Sequence, residues 1–167
     1  MALSEMLLGE FTQEAKSTRR LLERVPEDKL AWQPHEKSMS LSRLAGHVAE
    51  IAGWTPRVVA QDEIDFEESD YQPFVPETTA EILGALDESV EKFNAALDGV
   101  SDEDLMRPWT LRNGEHVIMT APKFAALRSF VLSHLVHHRG QLTVYLRQLD
   151  VELPGIYGPS ADERGGF

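Results

Sequence analysis

The chain has 167 residues, 42% apolar and 26% charged, with no cysteine and a formal charge of -12. That length suits one domain, residues 1–167, with a core that needs no disulfide. The acidity excludes a phosphate-neutralising surface for nucleic acid, and the missing thiol excludes disulfides, thiolate metal ligands and a cysteine nucleophile. The negative charge is local: residues 62–104 carry fifteen Asp or Glu and one base, Lys92. No charged-then-apolar leader opens the chain and no apolar run reaches the roughly 18 residues of a membrane span, so the reading is a soluble, cytoplasmic protein without a membrane partner.

Leu3, Leu7, Leu8, Phe11, Ala15, Thr18, Leu22 and Val25 recur at spacings of three and four. The pattern predicts a first helix over 3–24, ended before Pro26. The connector carries Leu30 and Trp32 as plugs over a core end. Ser40 is set to cap a second helix reaching residue 60, with Leu44, His47, Val48 and Ile51 on one stripe and Pro56 as a kink. Residues 61–76 hold two prolines and read as a loop. Thr78 or Thr79 then caps a third helix over 79–98. Residues 99–120 contain Asn113-Gly114, a hairpin turn signal, and read as a small hairpin or an irregular lid. Pro122 fits the first turn of a fourth helix ending near Leu149. The tail is turn-rich, and its last residues read as mobile.

Four amphipathic helices must cover one another's apolar stripes. The expected fold class is all-α, a four-helix bundle, whose long second connection permits a crossover.

The fourth stripe reads Leu127, Val131, His134, Leu135, His138, Leu142, Tyr145, Leu149. Two histidines stand where leucine is expected, four residues apart and therefore about 40° apart on the helix. A buried imidazole needs a hydrogen bond or a metal. With His47 from the second helix the set becomes three neutral nitrogens, enough to hold a divalent ion and leave it an open position. Spacing alone leaves both readings standing, satisfied core histidines and metal ligands. Glu50, three residues after His47, is placed to orient a ligand or to bind the ion. His137 lies off the stripe as a flank, Arg139 and Gln141 fall off it, and His35 and His116 sit in connectors. The ferritin-like Glu-x-x-His pattern fails, because Leu44, Val131 and Leu135 precede the three histidines by three. No His-Glu-x-x-His, nucleophile elbow or phosphate loop is present.

The segments SLSRLAGHVAE, HLVHHRGQ and LPGIYGPSADE, with LAWQP before them, resemble the DinB-like superfamily, also called the YfiT-type metal-dependent hydrolases. This damage-inducible bacterial family is unrelated to the polymerase of the same name. The resemblance covers essentially the whole chain. It implies a four-helix bundle with a crossover, commonly a homodimer, with zinc or nickel held by His47, His134 and His138. It also implies a small-molecule substrate: relatives include S-transferases that use low-molecular-weight thiols. The expected function is therefore a metal-dependent thiol S-transferase, with Glu50 or His137 assisting proton movement. The alternatives are a metal-dependent hydrolase, a non-catalytic metal-binding stress protein and a dimeric interaction module.

Overall fold

Leucine and phenylalanine at helical spacing build the long rods that the pattern predicts. The structure, a computed structural model, is described for residues 1–163. Helix α1 spans Leu3–Leu22 and buries Leu7, Phe11, Leu21 and Leu22. Helix α2 spans Leu41–Glu50, and its Ser40 cap accepts from the Arg43 backbone N–H. After a short helix α3, Thr55–Ala60, helix α4 runs over Thr79–Leu97, capped by Thr78 through the Glu81 N–H. Each cap satisfies an N–H that would otherwise lack a partner. α1 packs on α4, with the Phe11 and Phe93 rings stacked at 3.9 Å, and α2 packs against both α4 and the last long helix. Each core leucine buried this way contributes about 1.5–3 kcal/mol of transfer free energy.

Three departures from the expected pattern matter for the site. The second helix is not continuous to residue 60. It passes through a 3-10 turn over Ile51–Trp54 before α3 begins with Pro56 in its first turn. A proline inside an unbroken helix would clash with the carbonyl four residues back, and the tighter turn avoids that clash.

The fold is mostly helical but not all-α. β1 (Glu63–Asp65) lies parallel to β2 (Pro108–Asn113), and after the short helix α5 (Asp102–Leu105) β2 pairs antiparallel with β3 (His116–Pro122), in the order β1-β2-β3. Thus part of the expected 61–76 loop is strand, and 99–120 is the hairpin. Gly114 takes φ +58° in its turn, a conformation that disfavours a side chain. Trp109 and Leu111 alternate inward with Thr110 and Arg112, so the sheet closes over the core with one face wet.

The last helix begins as α6 (Lys123–Ala126), widens into a π-helical stretch over Leu127–Ser133, and continues as α7 (His134–Gln148). The wider turn rotates the frame. The most buried positions of α7 are Leu135, Arg139, Leu142 and Leu146, while His134, His138 and Tyr145 sit half-buried on the shoulder. Arg139, expected off the stripe, is 1% exposed. It pairs with Glu14 at 2.5 Å and donates to the Glu14 carbonyl, the Thr18 hydroxyl and the Tyr157 hydroxyl. This network ties the C-terminal segment to α1.

No helix among the described residues is long and apolar enough to cross a membrane. The mobile end expected for the chain concerns residues 164–167, which lie outside the described residues.

Candidate metal centre

α2 and α7 lie side by side, and the shoulder of each carries the histidines. His47 is the seventh residue of α2, with Leu44, Val48 and Ile51 buried around it. His134 opens α7 and His138 follows one turn later, so α7 alone fixes their relative placement. Tertiary packing brings His47 to them. His47 Nε2 lies 3.3 Å from His134 Nε2, and His138 Nε2 lies 2.9 Å from the same atom. One ligand atom from each of the three residues falls within 4.8 Å of the others.

The opposite nitrogen of every ring is engaged. His47 Nδ1 donates to Glu50 Oε1 at 3.2 Å, His134 Nδ1 to the Phe130 carbonyl at 3.2 Å, and His138 Nδ1 to Gln141 Oε1 at 2.7 Å. These three partners are acceptors, which favours a proton on Nδ1 and a lone pair on Nε2, while Arg43 Nη2 also stands 3.4 Å from His47 Nδ1. In that tautomer the three Nε2 lone pairs face one another. Such an arrangement is relieved by a cation, and orientation of metal-binding imidazoles by an outer acceptor is the usual arrangement. A tetrahedral ion with nitrogens at about 2.0–2.1 Å wants them about 3.3 Å apart. The donor set, and the separations of His134 Nε2 from the other two, suit a divalent transition ion.

The electrostatics agree. Burial, then the neighbouring His47 ring, lowers the pKa of His134 against the pull of the Phe130 carbonyl. Burial lowers His138 to about 4, aided by the other imidazoles and opposed by its bond to Gln141. Both rings are therefore neutral at pH 7, the state that binds metal. Burial raises the Glu50 carboxyl, but hydrogen bonds from His47 and Tyr71 and the charge of Arg43 outweigh it, leaving its pKa below the ordinary value. Glu50 is thus an anion aimed at His47 Nδ1, and Oε1 also accepts from Arg43 at 2.9 Å and Tyr71 at 2.6 Å. Burial and the bond to Glu50 push the Tyr71 phenol up to about 12, so it stays a donor.

Tyr71 comes from the 61–76 connector, which lies directly on α2. A Cβ at Gly46 would meet Pro76 Cδ at 2.6 Å and the Phe74 carbonyl oxygen at 2.9 Å, so glycine is what lets the connector approach. The hairpin of 99–120 supports the site from behind. Its Trp109 packs on Phe130, whose ring stacks on His134 at 6.2 Å.

His137 is exposed and meets the His138 ring edge-on at 4.8 Å. His35 and His116 are exposed and away from the cluster. Gln141, read as pointing elsewhere, reaches His138. Its position three residues on, along the same face, was the available signal. Arg43, four before His47, was legible the same way. Tyr71 and the Phe130 carbonyl had no local signal.

The chain matches the DinB family over residues 1–164. It is 27% identical to YrdA of Bacillus subtilis over 154 residues, covering 92% of this chain and 87% of that one. With YjoA of the same bacterium it shares 26% identity over 155 residues, 92% of this chain and 96% of YjoA. Among solved structures it superposes on a DinB-like protein from Bacillus cereus with TM-score 0.71 at 25% identity, covering 92% of this chain and 97% of the other. The YjoA structure gives 0.68 at 22% identity, covering 90% and 96%. With the fold, the three-histidine cluster and a match spanning nearly all of its length, the chain belongs to the DinB family.

Proposed function

We propose that His47, His134 and His138 hold one divalent ion, zinc or nickel, between α2 and α7 of a DinB-type four-helix bundle, and that the protein is a metal-dependent thiol S-transferase. The observation that carries this reading is the convergence of three imidazole nitrogens whose rings are each anchored from behind. An ion bound there would supply Lewis acidity, lowering the pKa of a thiol or water at its open position. The residues of the chain do the rest. Glu50 fixes the His47 ring and strengthens it as a donor, and Arg43 and Tyr71 hold the carboxylate in place. Phe130, whose ring stacks on His134, and Trp54, 5.9 Å from Phe130, set aromatic faces on one side of His134. His137, exposed next to His138, is placed to exchange protons with solvent.

Untagged protein is expected to carry close to one divalent ion per chain, and His134→Ala to carry none. Transfer of a low-molecular-weight thiol to an electrophile should require that ion. A metal-dependent hydrolase is the second reading, since the same site would activate water. A panel in which esters or amides respond to metal while thiol transfer does not would select it. A protein whose melting temperature follows the metal but whose activity panels stay silent is a binding protein instead. The homodimer implied by the family belongs to the same proposal, and light scattering of the purified chain tests it.

A further inference from the structure

A cleft of about 630 Å³ lies between the Ile51–Trp54 turn, the connector and α4, lined by Glu50 but by none of the three histidines. Four features of its wall point to one kind of occupant. Glu50 uses a single oxygen, Oε1, for His47, Arg43 and Tyr71; Oε2 has no hydrogen-bond partner among the described residues, although the side chain is only 17% exposed. Ser89, on α4, is 4% exposed and lines the cleft. It looks across at Gly53, where a Cβ would come within 3.3 Å of its oxygen. Trp54 and Tyr71 supply aromatic faces, their centroids 5.0 Å apart. Finally, the Arg57 guanidinium sits 5.3 Å from the Trp54 centroid with only the Ser69 hydroxyl as hydrogen-bond partner among the described residues.

A carboxylate oxygen left over in the wall accepts from N–H donors, a hydroxyl beside it can accept as well, and aromatic faces favour positive charge. Much of the wall comes from the acidic stretch 62–104, including Asp70, Glu81 and Glu88, whose field draws cations in, and the wall's own Lys92 is paired with Glu88. We propose that this cleft binds a small organic cation, an amine or guanidine on a short apolar stem, which donates to Glu50 and Ser89 with its charge over Trp54. Arg57 is the intramolecular stand-in for it. Because the other oxygen of Glu50 holds His47, a cation in the cleft draws on the charge that makes His47 a strong donor. Cation and metal therefore weaken each other's binding by the same factor. That linkage, unlike the cleft itself, rests on the metal reading of the histidines.

The test is calorimetric titration of the chelator-stripped full chain with agmatine, with succinate as the anionic control, so that the outcome is independent of the metal. One agmatine site and no succinate site are expected. Glu50→Gln should weaken agmatine about tenfold or more, the loss expected for a charge-assisted hydrogen bond, and Ser89→Ala a few-fold. Arg57→Ala should tighten it by removing the competitor. Gly84→Trp should abolish binding by filling the cleft from a helix position where a Cβ meets nothing within 4 Å. Circular dichroism reports that each variant is folded. The proposal is overturned by no agmatine heat up to about 10 mM, by preference for succinate, by weaker binding in Arg57→Ala, or by binding that survives in folded Gly84→Trp. Equal agmatine affinity in zinc-loaded and stripped protein overturns the linkage.

Discussion

His138 and Arg139 are neighbours on α7, yet they open into two polar clusters of opposite character. Arg139 faces α1 and closes on itself: a cation, the Glu14 carboxylate, two hydroxyls and a carbonyl satisfy one another. His138 faces α2, where the outer nitrogens are satisfied and the inner ones present like to like. A buried cluster with complementary partners needs nothing more, whereas three imidazoles turned Nε2 to Nε2 offer a cation a donor set. The first is structural, the second a candidate site.

Substitutions separate the two. The largest effect expected is on metal content: His134→Ala should fall from one ion per chain to none by elemental analysis. His134→Leu, which removes the lone-pair conflict, should melt no lower than the parent when both are metal-free. Arg139→Ala should do the reverse, leaving metal stoichiometry intact but costing about 3 kcal/mol by stranding a buried carboxylate. For a chain of this size that lowers Tm by about 6–12 °C, readable by calorimetry. If Arg139→Ala lost the metal while keeping its Tm, the contrast between the clusters would be gone.

A smaller loss is expected behind the ligands. Gln141→Leu frees His138 Nδ1 and should weaken metal affinity about 10- to 100-fold with little change in stoichiometry at saturation, measured by competition with a chromogenic chelator. The smallest effect is on pH. His134 and His138 have lowered pKa values in the folded chain, so below the ordinary imidazole value of 6.5 the unfolded chain takes up protons that the folded one refuses. Metal-free stability is then fully present above that pH and is lost as pH falls toward about 4, where burial has moved His138. Denaturant titrations of stripped protein across this window should show midpoints declining with pH, and His138→Leu should flatten the decline.

Much of the fold was legible locally. The Ser40 and Thr78 caps, the leucine spacing of α1 and α4, and the Asn113-Gly114 turn each state their structure within a few residues. β1 did not, because three residues cannot show an alternation and its partner lies more than forty positions away. Arg139 was misread for a related reason: the expected stripe assumed an unbroken 3.6-residue period, and the π-helical stretch over Leu127–Ser133 rotates everything after it. Gln141 followed the same frame.

Sequence by itself fixed the pairing of His134 with His138, since a helix makes neighbours of residues four apart wherever it is placed. It also fixed which residue types were available, by offering imidazoles and carboxylates and no thiol. Helix packing brings His47 to them, carries Tyr71 from the connector to Glu50, and buries Arg139 against α1. Those contacts join residues far apart in the chain, and they form only where the packing of whole helices puts their faces together.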